Sequence, residues 1–108
     1  MALRENLELM LQRGQDSPLL RFSLGGECLK TGDLVAAVEH LRKAVEANPA
    51  YSAAWKLLGQ AHAQAGNAAR AAEVYEQGIA AAESNGDLQA AKEMRVFLNR
   101  LRKAPAGG

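Results

Sequence analysis

The sequence predicts an all-α fold assembled from helical hairpin repeats, and three observations carry that prediction. The chain matches itself at a spacing of 34 residues: Leu24-Gly25 falls on Leu58-Gly59, Gly32 on Gly66, Ala37 on Ala71, Glu39 on Glu73 and Ala47 on Ala81. Pairs that differ stay chemically close, as with Asp33/Asn67, Leu41/Tyr75, Ala44/Gly78 and Val45/Ile79. Glycines also punctuate the apolar stretches, at Gly14, Gly32, Gly66 and Asn85-Gly86, with capping residues close behind. Finally, 48% hydrophobic content with 5% aromatics and three prolines suits alanine-rich helices.

Each element follows from its punctuation. An opening amphipathic helix over 2–13 places Leu3, Leu7, Met10 and Leu11 on one face, with Leu9 pointing away toward a second apolar contact. Ser17-Pro18 opens a second helix as N-cap and first-turn proline, and it runs to Thr31 before Gly32. Asp33 caps a third helix that Asn48-Pro49 closes, and Ser52 starts a fourth that stops at Gly66. Asn67 caps a fifth, which ends near Ser84. Asp87 caps a last helix over 87–104, with Ala90, Ala91, Met94, Phe97, Leu98 and Leu101 on one arc and Lys92, Arg95, Asn99 and Arg102 opposite. The tail 105–108 is expected to fray.

Bulk properties exclude several classes. With 108 residues there is room for a single domain, and a formal net charge of +1 provides no general attraction to nucleic acid or membrane. Residues 86–108 are locally basic, with five cations against two acids. The single cysteine, Cys28, forms no intramolecular disulfide. No secretory leader or membrane-span pattern is present, and a cytoplasmic location is expected. Cys28 and His62 hold equivalent places in the two repeats, but neither has an activating partner or ligand set in sequence. His40, without a ligand at helical spacing, reads as a surface residue, and the dispersed acids single out no acid–base pair. No catalytic residue, metal site or cofactor is assigned.

The second repeat reads Trp55, Leu58-Gly59, His62, Gly66-Asn67, Ala71, Tyr75 and Gly78; the first reads Leu24-Gly25, Cys28, Gly32-Asp33, Ala37, Leu41, Ala44 and Pro49. This pattern resembles the tetratricopeptide repeat (TPR) family, in particular small stand-alone bacterial TPR proteins. The first repeat departs from it at Arg21, where the family has tryptophan, and the second at Glu83, where it has a closing proline. The resemblance implies one TPR domain over 1–108. Within it, a half-repeat helix at 2–13 precedes repeats at 18–51 and 52–85, and a capping helix at 87–104 completes a short right-handed superhelix. Leu24, Gly25, Cys28, Ala37, Leu41, Ala44, Trp55, Leu58, Gly59, His62, Ala71, Tyr75 and Gly78 become packing residues between helices.

The resemblance also implies a binding function rather than an enzyme. The first helix of each TPR repeat lines a concave groove for a peptide or partner helix, which here would present Leu19, Phe22, Gly26 and Lys30 from the first repeat. Lys56, Gln60 and Gln64 follow from the second, with Met94 at the border. Phe22 either faces that groove or lies under the opening helix. The carboxylate clamp of chaperone-adaptor TPRs is not matched, because Phe22, Gly26 and Leu57 stand where its lysine and asparagines would be. Two alternatives stay open: a homo-oligomer or structural subunit joined through the terminal helices, and nucleic-acid association through Arg95, Arg100, Arg102 and Lys103.

Overall fold

The computed structural model describes residues 2–103, over which the chain forms six helices: α1 (Leu3–Gln12), α2 (Pro18–Lys30), α3 (Leu34–Ala47), α4 (Ser52–Gln64), α5 (Ala68–Ser84) and α6 (Leu88–Lys103). The tail expected to fray at 105–108 lies outside the described residues. Side-chain caps start α2, α3, α5 and α6. Ser17 Oγ accepts from the Leu20 N–H, Asp33 from Ala36, Asn67 from Arg70 and Asp87 from Ala90, each satisfying a donor that has no partner inside its helix. Gly32 and Gly66 take φ of 79° and 82°, the left-handed conformation that turns one helix tightly into the next.

Neighbouring helices pack in sequence, α2 on α3, α3 on α4, α4 on α5 and α5 on α6, while α1 rests on α2. The layers differ in one respect that shapes the molecule. Helix α4 also packs on α2 and α6, whereas among the described residues α3 packs on neither α1 nor α5, although Arg4 of α1 bonds its Asp33 cap at 2.9 Å. One layer is therefore closer together than the other, and the array curves with α2, α4 and α6 on its inner side.

Small residues facing large ones hold the hairpins. A Cβ on Gly25 would land inside the Leu41 side chain, and one on Gly59 inside the Tyr75 ring. At Gly78 it would stand 2.6 Å from Met94 Sδ and 2.7 Å from Trp55 Cβ. Leu24, Cys28, Ala37, Leu41 and Ala44 are fully buried in the first half, and Ala71, Tyr75, Ala91 and Met94 are buried in the second. Trp55 packs against both clusters and joins them. Burial pushes the Tyr75 hydroxyl up to about 12, so it stays neutral in the core.

Two expectations about α1 and His40 are corrected. The α1 stripe is only partly covered: Leu7 and Leu11 are half-buried, Leu3 and Met10 are exposed, and no α1 residue is fully buried. The helix has a neighbour on one side only, which explains the shortfall. Leu9 is half-buried. His40 is not a surface residue but half-buried against Arg21, whose Nη1 lies 3.1 Å from His40 Nδ1.

Candidate partner-binding groove

The inner side is assembled from one stripe of each of α2, α4 and α6. On α2, Leu19 is 64% exposed. Phe22, one turn on, is half-buried and stacks at a tilt on Tyr51, with ring centroids 5.1 Å apart. Tyr51, the residue that leads into α4, thus covers part of Phe22. Gly26 differs from the packing glycines, because a Cβ there meets only Leu57 Cδ1, at 3.8 Å. Lys30 is exposed and paired with Glu27 at 3.2 Å.

On α4, Lys56 donates to Glu93 Oε1 of α6 at 3.0 Å, linking two inner helices across the face. Gln60 is half-buried and Gln64 exposed. Leu57, half-buried opposite Gly26, joins this surface. In the sequence it stands only as a departure from the carboxylate clamp, and its place one residue after Lys56 is the signal for this role.

Met94 does not border the groove. It is 0% exposed and lies against Gly78. The reason is a change of period: α2 to α4 starts 34 residues apart, but α5 is 17 residues long where α3 is 14. Helix α6 consequently starts 36 residues after α4. Met94 therefore takes the buried place of Leu58, not the surface place of Gln60. At the corrected spacing Lys92, Val96 and Arg100 follow Lys56, Gln60 and Gln64, and all three are exposed. The Asn85-Gly86 break and the Asp87 cap held the signal for this shift.

The packing residues sit behind this face. Leu24, Gly25, Cys28, Ala37, Leu41, Ala44, Leu58, Gly59, Ala71, Tyr75 and Gly78 are buried, and Trp55 and His62 are half-buried. Burial raises the Cys28 thiol above its ordinary value, which disfavours the thiolate a nucleophile needs. Burial lowers the His62 imidazole, with Arg70 adding to the effect. Among the described residues, no three His, Cys, Asp or Glu side chains converge as metal ligands.

Arg21 explains the missing tryptophan of the first repeat. Its Nε and Nη2 donate to the two Asp16 carboxylate oxygens at 2.8 and 2.9 Å, a bidentate pair. Since the guanidinium has only donors, His40 Nδ1 must accept from Nη1, which places the imidazole proton on Nε2. Burial, then the charge of Arg21, holds His40 below its ordinary pKa. Trp55 anchors itself in the same manner, its Nε1 donating to Pro49 O in the loop before α4 at 2.8 Å.

A tetratricopeptide repeat model matches residues 22–87. The chain belongs to the tetratricopeptide repeat family. It is 53% identical over 100 residues to a TPR repeat-containing protein of Pseudomonas aeruginosa, a match covering 93% of this chain and 95% of that one. A Bordetella parapertussis protein with a solution structure is 46% identical, with a TM-score of 0.84 over 95% of this chain and 90% of that chain. A TPR domain protein from Salinibacter ruber shares the fold at a TM-score of 0.77 and 23% identity, covering 83% of this chain and 91% of that one. TPR proteins generally mediate protein–protein interactions and are typically non-enzymatic scaffolds. No helix among the described residues is long and apolar enough to cross a membrane.

Proposed function

We propose that this TPR protein is an interaction module, an adaptor that takes a peptide or partner helix on the concave face of α2, α4 and α6. The observation that carries the reading is Gly26. It is partly exposed on the inner face, and a Cβ added there would meet only Leu57 Cδ1, at 3.8 Å, so it leaves a recess beside Leu57 for a partner side chain. A glycine in mid-helix weakens the helix by about 1 kcal/mol relative to alanine, and here no close helix crossing requires it. A cytoplasmic location belongs to the same proposal.

Gly26→Leu is the cleanest test, because it fills the recess without removing a contact, whereas Phe22 and Lys56 also hold Tyr51 and Glu93. Partner capture from lysate should be lost in Gly26→Leu while its helical signal and melting temperature hold. Retention of the same partner by this variant would remove the groove from the account.

A second reading, self-association through the terminal helices, is favoured by exposed Met10 and Leu19, which line the α1–α2 cleft. Sedimentation equilibrium decides it: a monomer mass independent of concentration would end that reading.

A further inference from the structure

Ion pairing is close to complete over this surface, which makes its exceptions informative. Of thirteen basic side chains, nine are salt-bridged. Among the described residues the four without a carboxylate are Arg13, Lys92, Arg100 and Lys103. Three of these belong to α6. Nearly all the acids, by contrast, are engaged: Asp87 accepts from Ser52 and caps α6, and among the described residues only Glu5 stands without a partner.

The two flanks of α6 separate cleanly. Arg95 and Arg102 bond Glu83 and Glu76 of α5. The flank on the α4 side carries Lys92, Val96 and Arg100 at four-residue steps and Lys103 three further on, all exposed, a spacing that aligns them along the helix. Glu93, the one acid beside them, is neutralised by Lys56. Attraction of cations to a helix C-terminus accounts for Arg100 and Lys103 but not for Lys92, which lies in the N-terminal half. Val96, 42% exposed, places an apolar surface among the charges, and Arg100 covers the Phe97 ring at 5.9 Å.

We infer that this stripe selects the partner: the groove takes an acidic peptide segment whose carboxylates lie over Lys92, Arg100 and Lys103 and whose apolar side chain rests on Val96. The inference rests on the groove-binding reading above and adds to it the chemistry of the ligand. Charge complementarity is the argument, since the face has an excess of cations on a molecule of nearly neutral total charge. A nucleic-acid ligand is less well matched. Three cations in one row release few counterions, and no exposed aromatic platform accompanies them.

The test is to pan a phage-displayed random dodecapeptide library on the protein. Anisotropy then follows with fluorescein-labelled copies of the enriched peptides. The expected peptides are acidic, and Lys92→Glu/Arg100→Glu should weaken them about tenfold at roughly 50 mM NaCl, as should raising the salt roughly tenfold. The control Arg95→Glu/Arg102→Glu, on the opposite flank, should change binding less than about twofold. Circular dichroism checks that each variant folds. Neutral or basic enriched peptides, blocked by Gly26→Leu but indifferent to the stripe reversal, would overturn the acidic ligand and leave the groove standing. If no peptide is enriched, both readings fail. A labelled single-stranded oligonucleotide that outcompetes the peptides and is lost in the same reversal would overturn the peptide assignment.

Discussion

The two repeats perform the same packing task with different chemistry at one position and similar chemistry at another. Where each inner helix crosses its outer partner, glycine faces a large side chain, Gly25 against Leu41 and Gly59 against Tyr75. The size difference is retained while the large residue changes from aliphatic to aromatic. One turn earlier the solutions diverge. Trp55 bonds the preceding loop through its indole and spreads over two clusters; Arg21 bonds the preceding loop through Asp16 and reaches α3 through His40. Helix α4 has a full repeat on either side for an indole to bury against, while α2 has only the partly buried α1. The comparison teaches that the glycine–large pair is the indispensable contact, and the anchor beside it adapts to what its neighbours can bury.

The largest effect should come from removing the large partners. Tyr75→Ala is expected to destabilise by about 4 kcal/mol and Leu41→Ala by about 3 kcal/mol, measured by urea unfolding. Losses below about 1 kcal/mol in both would break the claim that these pairs hold the hairpins. The anchors come next: Trp55→Ala should cost about 3 kcal/mol and Arg21→Ala about 1–2 kcal/mol. Equal losses would mean that the charged anchor buries as much as the indole. Gly26→Ala should act in the opposite direction and raise stability by about 0.5–1 kcal/mol, in contrast to Gly59→Ala, which strikes the Tyr75 ring. A destabilised Gly26→Ala would make Gly26 another packing glycine.

The smallest effect concerns acidity. Burial, then the charges of Arg21 and Arg4, with Glu8 and Glu39 opposing, holds His40 below the ordinary imidazole value of 6.5. The unfolded chain therefore takes up this proton first as pH falls. The stability it contributes is present above that value and is lost progressively below it. The melting temperature should drop from about pH 7 to about pH 5, a window above the depressed carboxyls of Asp16, Asp33 and Asp87. His62 adds a drop of the same sign. His40→Gln should remove part of the total, and an unchanged slope would show that Arg21 does not rely on a neutral imidazole.

The helices were legible because their ends are written in local chemistry: Ser17, Asp33, Asn67 and Asp87 cap, and glycines terminate. The third inner helix was harder to place. It carries no Leu-Gly pair, so a 34-residue period carried across the longer α5 puts Met94 on the surface instead of in the core. His40 escaped because its environment is made by Arg21, nineteen residues away, a relation that no helical spacing encodes. The Lys56–Glu93 link and the unpaired stripe of α6 depend likewise on which flank of α6 meets α5. Only the packed helices fix that choice.

Arg95 has a bearing on assembly. At the corrected spacing it stands where Gly59 stands in α4, the place at which an inner helix yields room to the outer helix that follows it. A helix from any chain that approached α6 as α5 approaches α4 would meet a guanidinium already bound to Glu83. This face of α6 therefore lacks the glycine gap that seats α5 on α4, and in-register stacking of a further helix would have to displace the Arg95–Glu83 pair.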